Sequence, residues 1–163
     1  MGKKIHNPHD RFMKSLLGDI EIAKEYFGRF LPDNLKRILD LSLLVHAPRS
    51  FISKDLQETF ADIIFKCPLK TQFGEHYVFI SILAEHKSFK YKYVAVQLGS
   101  YLFQAYQAQL DNNQPLTPVI PFLYYHGKGK EWVPRDMHDL LKKFPMELQR
   151  YIPNFDILFQ NIH

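Results

Sequence analysis

The chain is poor in cysteine and has no long hydrophobic run, and both absences narrow the class of protein. Cys67 is the only cysteine among 163 residues, so an intramolecular disulfide is impossible and no Cys/His pattern forms a structural zinc site. The polar start of the sequence lacks the apolar centre of a signal peptide, and no run approaches the roughly eighteen apolar residues of a membrane helix. We therefore expect a cytoplasmic protein without a membrane segment.

Internal repeats and low-complexity tracts are absent as well, whereas apolar residues make up 46% and aromatic residues 15% of the sequence. These values are typical of a globular protein, and the length favours one domain over residues 1–163. The sequence stops in a strand-like segment, 155–163, so we expect it to be the N-terminal part of a longer protein. A net charge of +4 with a pI near 9.1 would assist binding to a polyanion but does not establish it.

Two strand-like segments joined by a short loop form the centre of the chain. Residues 58–70 are rich in aromatic and β-branched side chains, and residues 76–85 are more apolar still, as expected of a strand covered on both faces. Gly74 lies between them and supplies the positive φ that such a loop requires. The pattern predicts an antiparallel hairpin in which Asp62 and Glu85, at similar distances from the turn, face each other.

Two facing carboxylates in apolar surroundings need a positive counter-charge, because they would otherwise repel each other. Lys87 and a divalent metal ion are the candidates. Glu85 and Lys87 are two residues apart, so both side chains point to the same side of an extended chain, while His86 points away and leaves its carbonyl available.

Helical periodicity flanks the hairpin on both sides. Residues 11–17 show helical spacing, and Asp19 can cap a second helix that ends at Pro32. The longest helical pattern runs over residues 89–112. Its predicted apolar face consists of Val94, Leu98, Tyr101, Leu102 and Ala105. Residues 117–125 follow as a last buried strand.

An Asp followed some twenty residues later by Glu-x-Lys at the end of an apolar strand is the signature of the PD-(D/E)XK nuclease superfamily, here Asp62, Glu85 and Lys87. The surrounding segments resemble the bacterial family of recombination-promoting nucleases and YhgA-like transposases over nearly the whole chain. The segments that carry this likeness are His9–Leu17, Phe30–Asp33, Phe51, Ala61–Asp62, Leu83–Ser88 and Pro118–Gly127. Many members of that family have Gln at the position of Lys87, so this chain is closer to the active superfamily pattern there.

The resemblance implies an α/β fold with a restriction-endonuclease-like core. Its central mixed sheet would have about four strands flanked by helices, in the order helix, three strands, helix, strand. The implied activity is metal-dependent endonuclease cleavage of DNA in recombination or transposition. A homodimer would be suited to cutting both DNA strands.

The resemblance also implies roles for individual residues. Asp62, Glu85 and the His86 carbonyl would bind Mg²⁺, which Mn²⁺ could replace. Lys87 would either activate the attacking water or stabilise the developing negative charge. Gln97 and Tyr101, four residues apart on one helix face as in a subset of the superfamily, would contact a phosphate or brace the metal ligands.

Several alternatives stay open at this point. An additional acidic residue could assist the metal site, and the candidates are Glu21, Glu25, Asp55 and Glu58. The fold could instead serve as a DNA- or protein-binding module that does not cut, or act on a different phosphate substrate. Asp62 could also simply pair with Lys66, and Gln97 and Tyr101 could be ordinary helix surface and core.

Overall fold

The computed structural model describes residues 15–48, 61–85, 92–125 and 133–161, with side chains at all of these positions except 61, 62, 84, 85, 125 and 161. Most of the predicted first helix lies outside this part of the chain, and so does the segment 50–55. His86 and Lys87 also lie outside it. Among the helices that are described, none is long and apolar enough to cross a membrane.

The described strands form one mixed sheet whose spatial order follows the sequence, β1-β2-β3-β4-β5. The strands are Val45–His46 (β1), Ala61–Pro68 (β2), Tyr77–Glu85 (β3), Val119–Tyr125 (β4) and Leu158–Asn161 (β5). β1, β2 and β3 are antiparallel, whereas β3, β4 and β5 are parallel. The predicted α/β class and the antiparallel central hairpin are therefore confirmed.

The sheet has five strands instead of the predicted four. The additional strand is β5, which belongs to the strand-like segment 155–163 but was not assigned a place in the sheet. β5 pairs only with residues 122–125 of β4, the second half of that strand. Its partner lies more than thirty residues away in sequence, so local periodicity could not show where it joins the sheet.

The described helices include Ile20–Phe30 (α1), Asp33–Ile38 (α2), Val94–Asp111 (α3) and Met137–Leu140 (α4). α1 agrees with the helix predicted between Asp19 and Pro32, whereas α3 begins five residues after the predicted start at residue 89. Asp19 is the N-cap of α1, and its carboxylate accepts a hydrogen bond of 3.0 Å from the Glu21 N–H. The predicted cap and the long helix after the hairpin are confirmed.

Apolar side chains of β3 alternate between the two faces of the sheet and divide the core into two layers. Val78, Ile80 and Ile82 lie in the cluster that includes Phe27 of α1. Phe79 and Leu83 lie in the other cluster, with residues of α3. Because both faces are covered, β3 reads as an almost continuous apolar run instead of an alternating one.

The connection from β3 to the parallel strand β4 runs through α3, which packs on one face of the sheet. A helix that links adjacent parallel strands runs back along them, so its first turns lie near the end of the first strand. The first turns of α3 and Glu85, the last residue of β3, are thus at the same edge of the sheet.

Among the described residues, no strand pairs with the outer side of the first half of β4. The Phe79 N–H donates to the Pro118 carbonyl, so the Val119 N–H points away from β3, and it donates to the Tyr106 hydroxyl at 3.2 Å. Pro121, the next residue on that side, has no N–H. This half of the edge is therefore protected against pairing with another strand.

The backbone conformation of Gly74, in the hairpin loop, can be tested by substitution. Its φ of +94° and ψ of 167° fall in a region that is nearly restricted to glycine, and an added Cβ would lie 3.0 Å from Cδ2 of His76. We expect Gly74→Ala to lower the free energy of unfolding by about 1–2 kcal/mol, measured by urea titration.

Gly28, inside α1, is the matched control, since a Cβ there meets nothing within 4 Å. Gly28→Ala should raise the free energy of unfolding by about 0.5–1 kcal/mol, because alanine loses less backbone entropy in a helix. Changes of the same sign and size in both variants would contradict a conformational requirement at Gly74.

Candidate active site

Asp62 occupies an irregular position in β2. Ile63 pairs with Ile82 and Ala61 with Leu83, so β2 has one more residue than β3 over this interval. The additional residue is Asp62, which makes this point a β-bulge. Bulges are common next to active sites, where they increase the local twist and change the direction of a side chain.

Glu85 is the last residue of β3 and pairs with Tyr125, the last residue of the parallel strand β4. It lies two residues beyond Leu83, whereas Asp62 lies level with the step from Ile82 to Leu83. The two positions are therefore at the same end of the hairpin, as predicted. The two residues do not pair directly, because the bulge and the hairpin register offset them by about two and a half residues, or roughly 8 Å, along the strands.

Tyr101 links α3 to the centre of β3. Its side chain is fully buried, and its hydroxyl donates a 2.7 Å hydrogen bond to Oγ of Ser81, which is also buried. Burial raises the pKa of Tyr101 to about 12, so the hydroxyl remains protonated and acts as a donor at neutral pH. A residue in this position braces the strand, and its predicted role beside the metal ligands stays a prediction.

Ser81 was not among the predicted site residues, although the sequence contains a signal for it. It is the one hydroxyl in the apolar run from Val78 to Ala84. A polar side chain in such a run must find a hydrogen-bond partner, because burying it without one is costly. Its partner, Tyr101, comes from the next helix.

Gln97 lies one helical turn before Tyr101 and is partly buried. Since α3 runs back along β3, this turn brings Gln97 closer than Tyr101 to the end of the strand at Glu85. The two predicted helix residues therefore lie at different heights along β3. Tyr101 packs at the centre of the strand, and Gln97 lies nearer its end, where Glu85 is located.

Two of the four acidic residues considered as additional members of the metal site, Glu21 and Glu25, lie on α1. Glu21 and Glu25 are exposed, and Glu21 pairs with Lys24 at 3.1 Å. α1 packs on the face of the sheet opposite to α3. Asp55 and Glu58 lie outside the described residues.

In the ranges that the structure describes, no group of three or more His, Cys, Asp and Glu side chains could hold a metal ion. The predicted set of Asp62, Glu85 and His86 includes a residue outside the described ranges, so it stays a prediction.

The hydrogen bond between Tyr101 and Ser81 can be tested with a double-mutant cycle. Tyr101→Phe and Ser81→Ala should each lower the free energy of unfolding by about 1–2 kcal/mol. Tyr101→Phe removes the donor of the buried hydrogen bond, and Ser81→Ala removes its acceptor. The double variant should lose less than the sum of the two, since it removes both ends of the bond. Strictly additive losses in chemical denaturation would show that the bond does not couple the helix to the strand.

The sequence matches one protein family and is similar to several named proteins. The family described as "Putative transposase, YhgA-like" matches residues 7–163. The recombination-promoting nuclease RpnA of Escherichia coli (strain K12) is 32% identical over 126 residues, which cover 77% of this chain and 42% of RpnA. RpnD of Escherichia coli O157:H7, also named a recombination-promoting nuclease, is 33% identical over 74% of this chain and 45% of its own length.

Other similar proteins are named as inactive, RpnE among them. The inactive recombination-promoting nuclease-like protein RpnE of Escherichia coli (strain K12) is 32% identical over 75% of this chain and 40% of its own length.

The chain thus spans less than half the length of these three curated relatives. No solved structure matches it. Because the family match extends over almost all of its residues, the chain belongs to the YhgA-like transposase family.

Proposed function

We propose that this chain is a nuclease domain that hydrolyses phosphodiester bonds of DNA with the help of a divalent metal ion, in recombination or transposition. The observation that supports this most directly is the β-bulge at Asp62 beside the end of β3, where Glu85 is located. The names of RpnA and RpnD, both recombination-promoting nucleases, point to the same activity.

The donors at this edge of the sheet suit a hard cation. Two carboxylates, Asp62 and Glu85, and the carbonyl of His86 would offer only oxygen atoms, which Mg²⁺ and Mn²⁺ prefer. The bulge interrupts the regular hydrogen-bonded pairing of β2 at Asp62. Glu85 lies where the parallel strands β3 and β4 end together. Neither residue is therefore in the middle of continuous strand pairing. A bound metal ion would supply an activated water and neutralise charge on the phosphate.

The protein groups around this site would hold the substrate and its charges in place. Lys87, two residues after Glu85, would lie close to the scissile phosphate and stabilise the negative charge that develops on it. Gln97 would donate a hydrogen bond to a phosphate oxygen or to a metal ligand. Tyr101 would act as a positioning residue, because its bond to Ser81 fixes the distance between α3 and β3.

DNA is the substrate that best matches the charge of the chain. The net charge of +4 would favour a polyanion, and binding through phosphates releases counterions, so it weakens as salt increases. Mg²⁺ would also reduce the repulsion between the acidic pair and the DNA backbone.

A second candidate function is a domain that binds DNA or a protein without cutting. The observation that favours it is the similarity to RpnE, which is named as inactive. The presence of Asp62, Glu85 and Lys87 in this sequence favours the nuclease instead, because the full superfamily signature is retained.

Plasmid cleavage tests the proposed site. With Mg²⁺ or Mn²⁺ the protein should nick or cut supercoiled DNA, and EDTA should abolish the reaction. Asp62→Ala, Glu85→Ala and Lys87→Ala should each reduce the cleavage rate by roughly 100-fold or more, because each removes a metal ligand or a charge that stabilises the transition state.

Two exposed residues on other parts of the surface serve as controls. Glu147→Ala and Lys143→Ala remove the same kinds of charge and should leave the rate within about 2-fold of the wild type. Cleavage that survives in Asp62→Ala would refute the site, and loss of cleavage in both controls would show a nonspecific effect of charge.

DNA binding separates the nuclease from the binding module. Asp62→Ala should keep its affinity for a DNA duplex or increase it, because a negative charge is removed, and the affinity should fall steeply between 50 and 200 mM salt. Fluorescence anisotropy without metal measures this. Salt-dependent binding by a wild type that cleaves under no metal condition would favour the DNA-binding module, whereas absence of DNA binding and of cleavage would contradict the nuclease and leave only a module that binds protein.

A further inference from the structure

The outer face of α3 carries large apolar side chains that nothing in the described structure covers. Val96, Phe103 and Leu110 are 52%, 71% and 53% exposed. They are spaced by seven residues, so they form one stripe along the helix. The opposite face of α3, which includes Leu98 and Leu102, is buried against the sheet. A helix that is apolar on two sides is typical of an element buried on both.

The residues between these three side chains are small or uncharged. Ser100 and Gln107 complete the series 96, 100, 103, 107 and 110, whose alternating steps of four and three are those of a coiled-coil seam. Asp111, at the very end, is the only Asp, Glu, Lys or Arg among the 18 residues of α3. A surface helix without Lys, Glu or Arg is unusual, since such residues normally make up the solvent-facing side.

A cavity opens beside this stripe. Its volume is about 670 Å³, and its walls are mostly apolar. α3 contributes Gly99, Phe103 and Tyr106 to it, and the open half of β4 and the segment before β5 contribute Pro121 and Phe155. The exposed Phe103 therefore lies at the rim of a cavity large enough to receive an aromatic ring.

We propose that a second copy of this chain packs on the outer face of α3, with the two α3 helices antiparallel and the two-fold axis near Phe103. This arrangement pairs Val96 of each copy with Leu110 of the other, because both are seven residues from Phe103. It also brings each Phe103 to the cavity rim of the other copy. A protruding side chain next to a cavity on the same surface is the self-complementary pattern that a two-fold interface requires.

The lack of charge on this face is compatible with a second copy. Like charges facing each other across a two-fold axis would repel, and here there are none along the seam. A dimer would place two copies of the proposed site in one particle, which suits cleavage of two DNA strands. Sedimentation measures mass and not cleavage, so its outcome is independent of the proposed function.

Sedimentation velocity and light scattering at several concentrations test the interface. The 163-residue wild type should sediment as a dimer, and Phe103→Glu should sediment as a monomer with at least a 10-fold weaker self-association. Met146→Glu is the matched control, because Met146 is 78% exposed in a segment that is not part of α3 and should leave the dimer intact. Circular dichroism and thermal unfolding check that both variants fold.

A cross-linking experiment gives a second, independent test. Cys67 is fully buried, so an introduced cysteine would be the reactive thiol of the native protein. Gln104→Cys, next to the proposed axis, should form a disulfide-linked dimer under mild oxidation, whereas Gln149→Cys on the exposed segment 146–151 should not. A monomeric wild type, a dimer that survives in Phe103→Glu, or equal cross-linking by both cysteine variants would overturn the proposal.

Discussion

The fold depends on the burial of residues 78–83 of β3 between two layers of side chains and two neighbouring strands. Side chains at alternate positions of β3 enter the two core clusters, while its backbone pairs with β2 on one side and β4 on the other. Burying an unpaired charged side chain in such a strand would be costly, so a charged residue is expected only at the end of the strand. Glu85 comes at that end, so the burial of β3 itself determines where an acidic site can form.

The same constraint explains the role of Ser81 and Tyr101. A hydroxyl in the middle of β3 would be destabilising if it were alone, and the hydroxyl of Tyr101 satisfies it from α3. The bond is polar and directional, unlike the apolar contacts around it, so it fixes the rotation and height of α3 over the sheet. Gln97 and the first turn of α3 are thereby held at the edge where β3 ends.

The sequence was sufficient to predict features that depend on local patterns. The two central strands, the positive φ of Gly74, the cap at Asp19 and the apolar face of α3 all follow from residue type and spacing. The bulge at Asp62 and the resulting offset from Glu85 could not be predicted, because register depends on which residues meet across the strands. The place of β5 depends on a contact distant in sequence, and the pairing of Ser81 with Tyr101 required knowledge of how α3 lies on the sheet.

The protected half of β4 has a consequence for the way the last strand is added. Val119 already donates its N–H to Tyr106, and Pro121 has none to donate, so a strand that slid toward the start of β4 would find no backbone donors there. Only residues 122–125 can accept β5, and Gln160 of β5 is further held by the hydroxyl of Tyr26. A slide of β5 toward the start of β4 is therefore disfavoured by the chemistry of two residues on its neighbour, Val119 and Pro121.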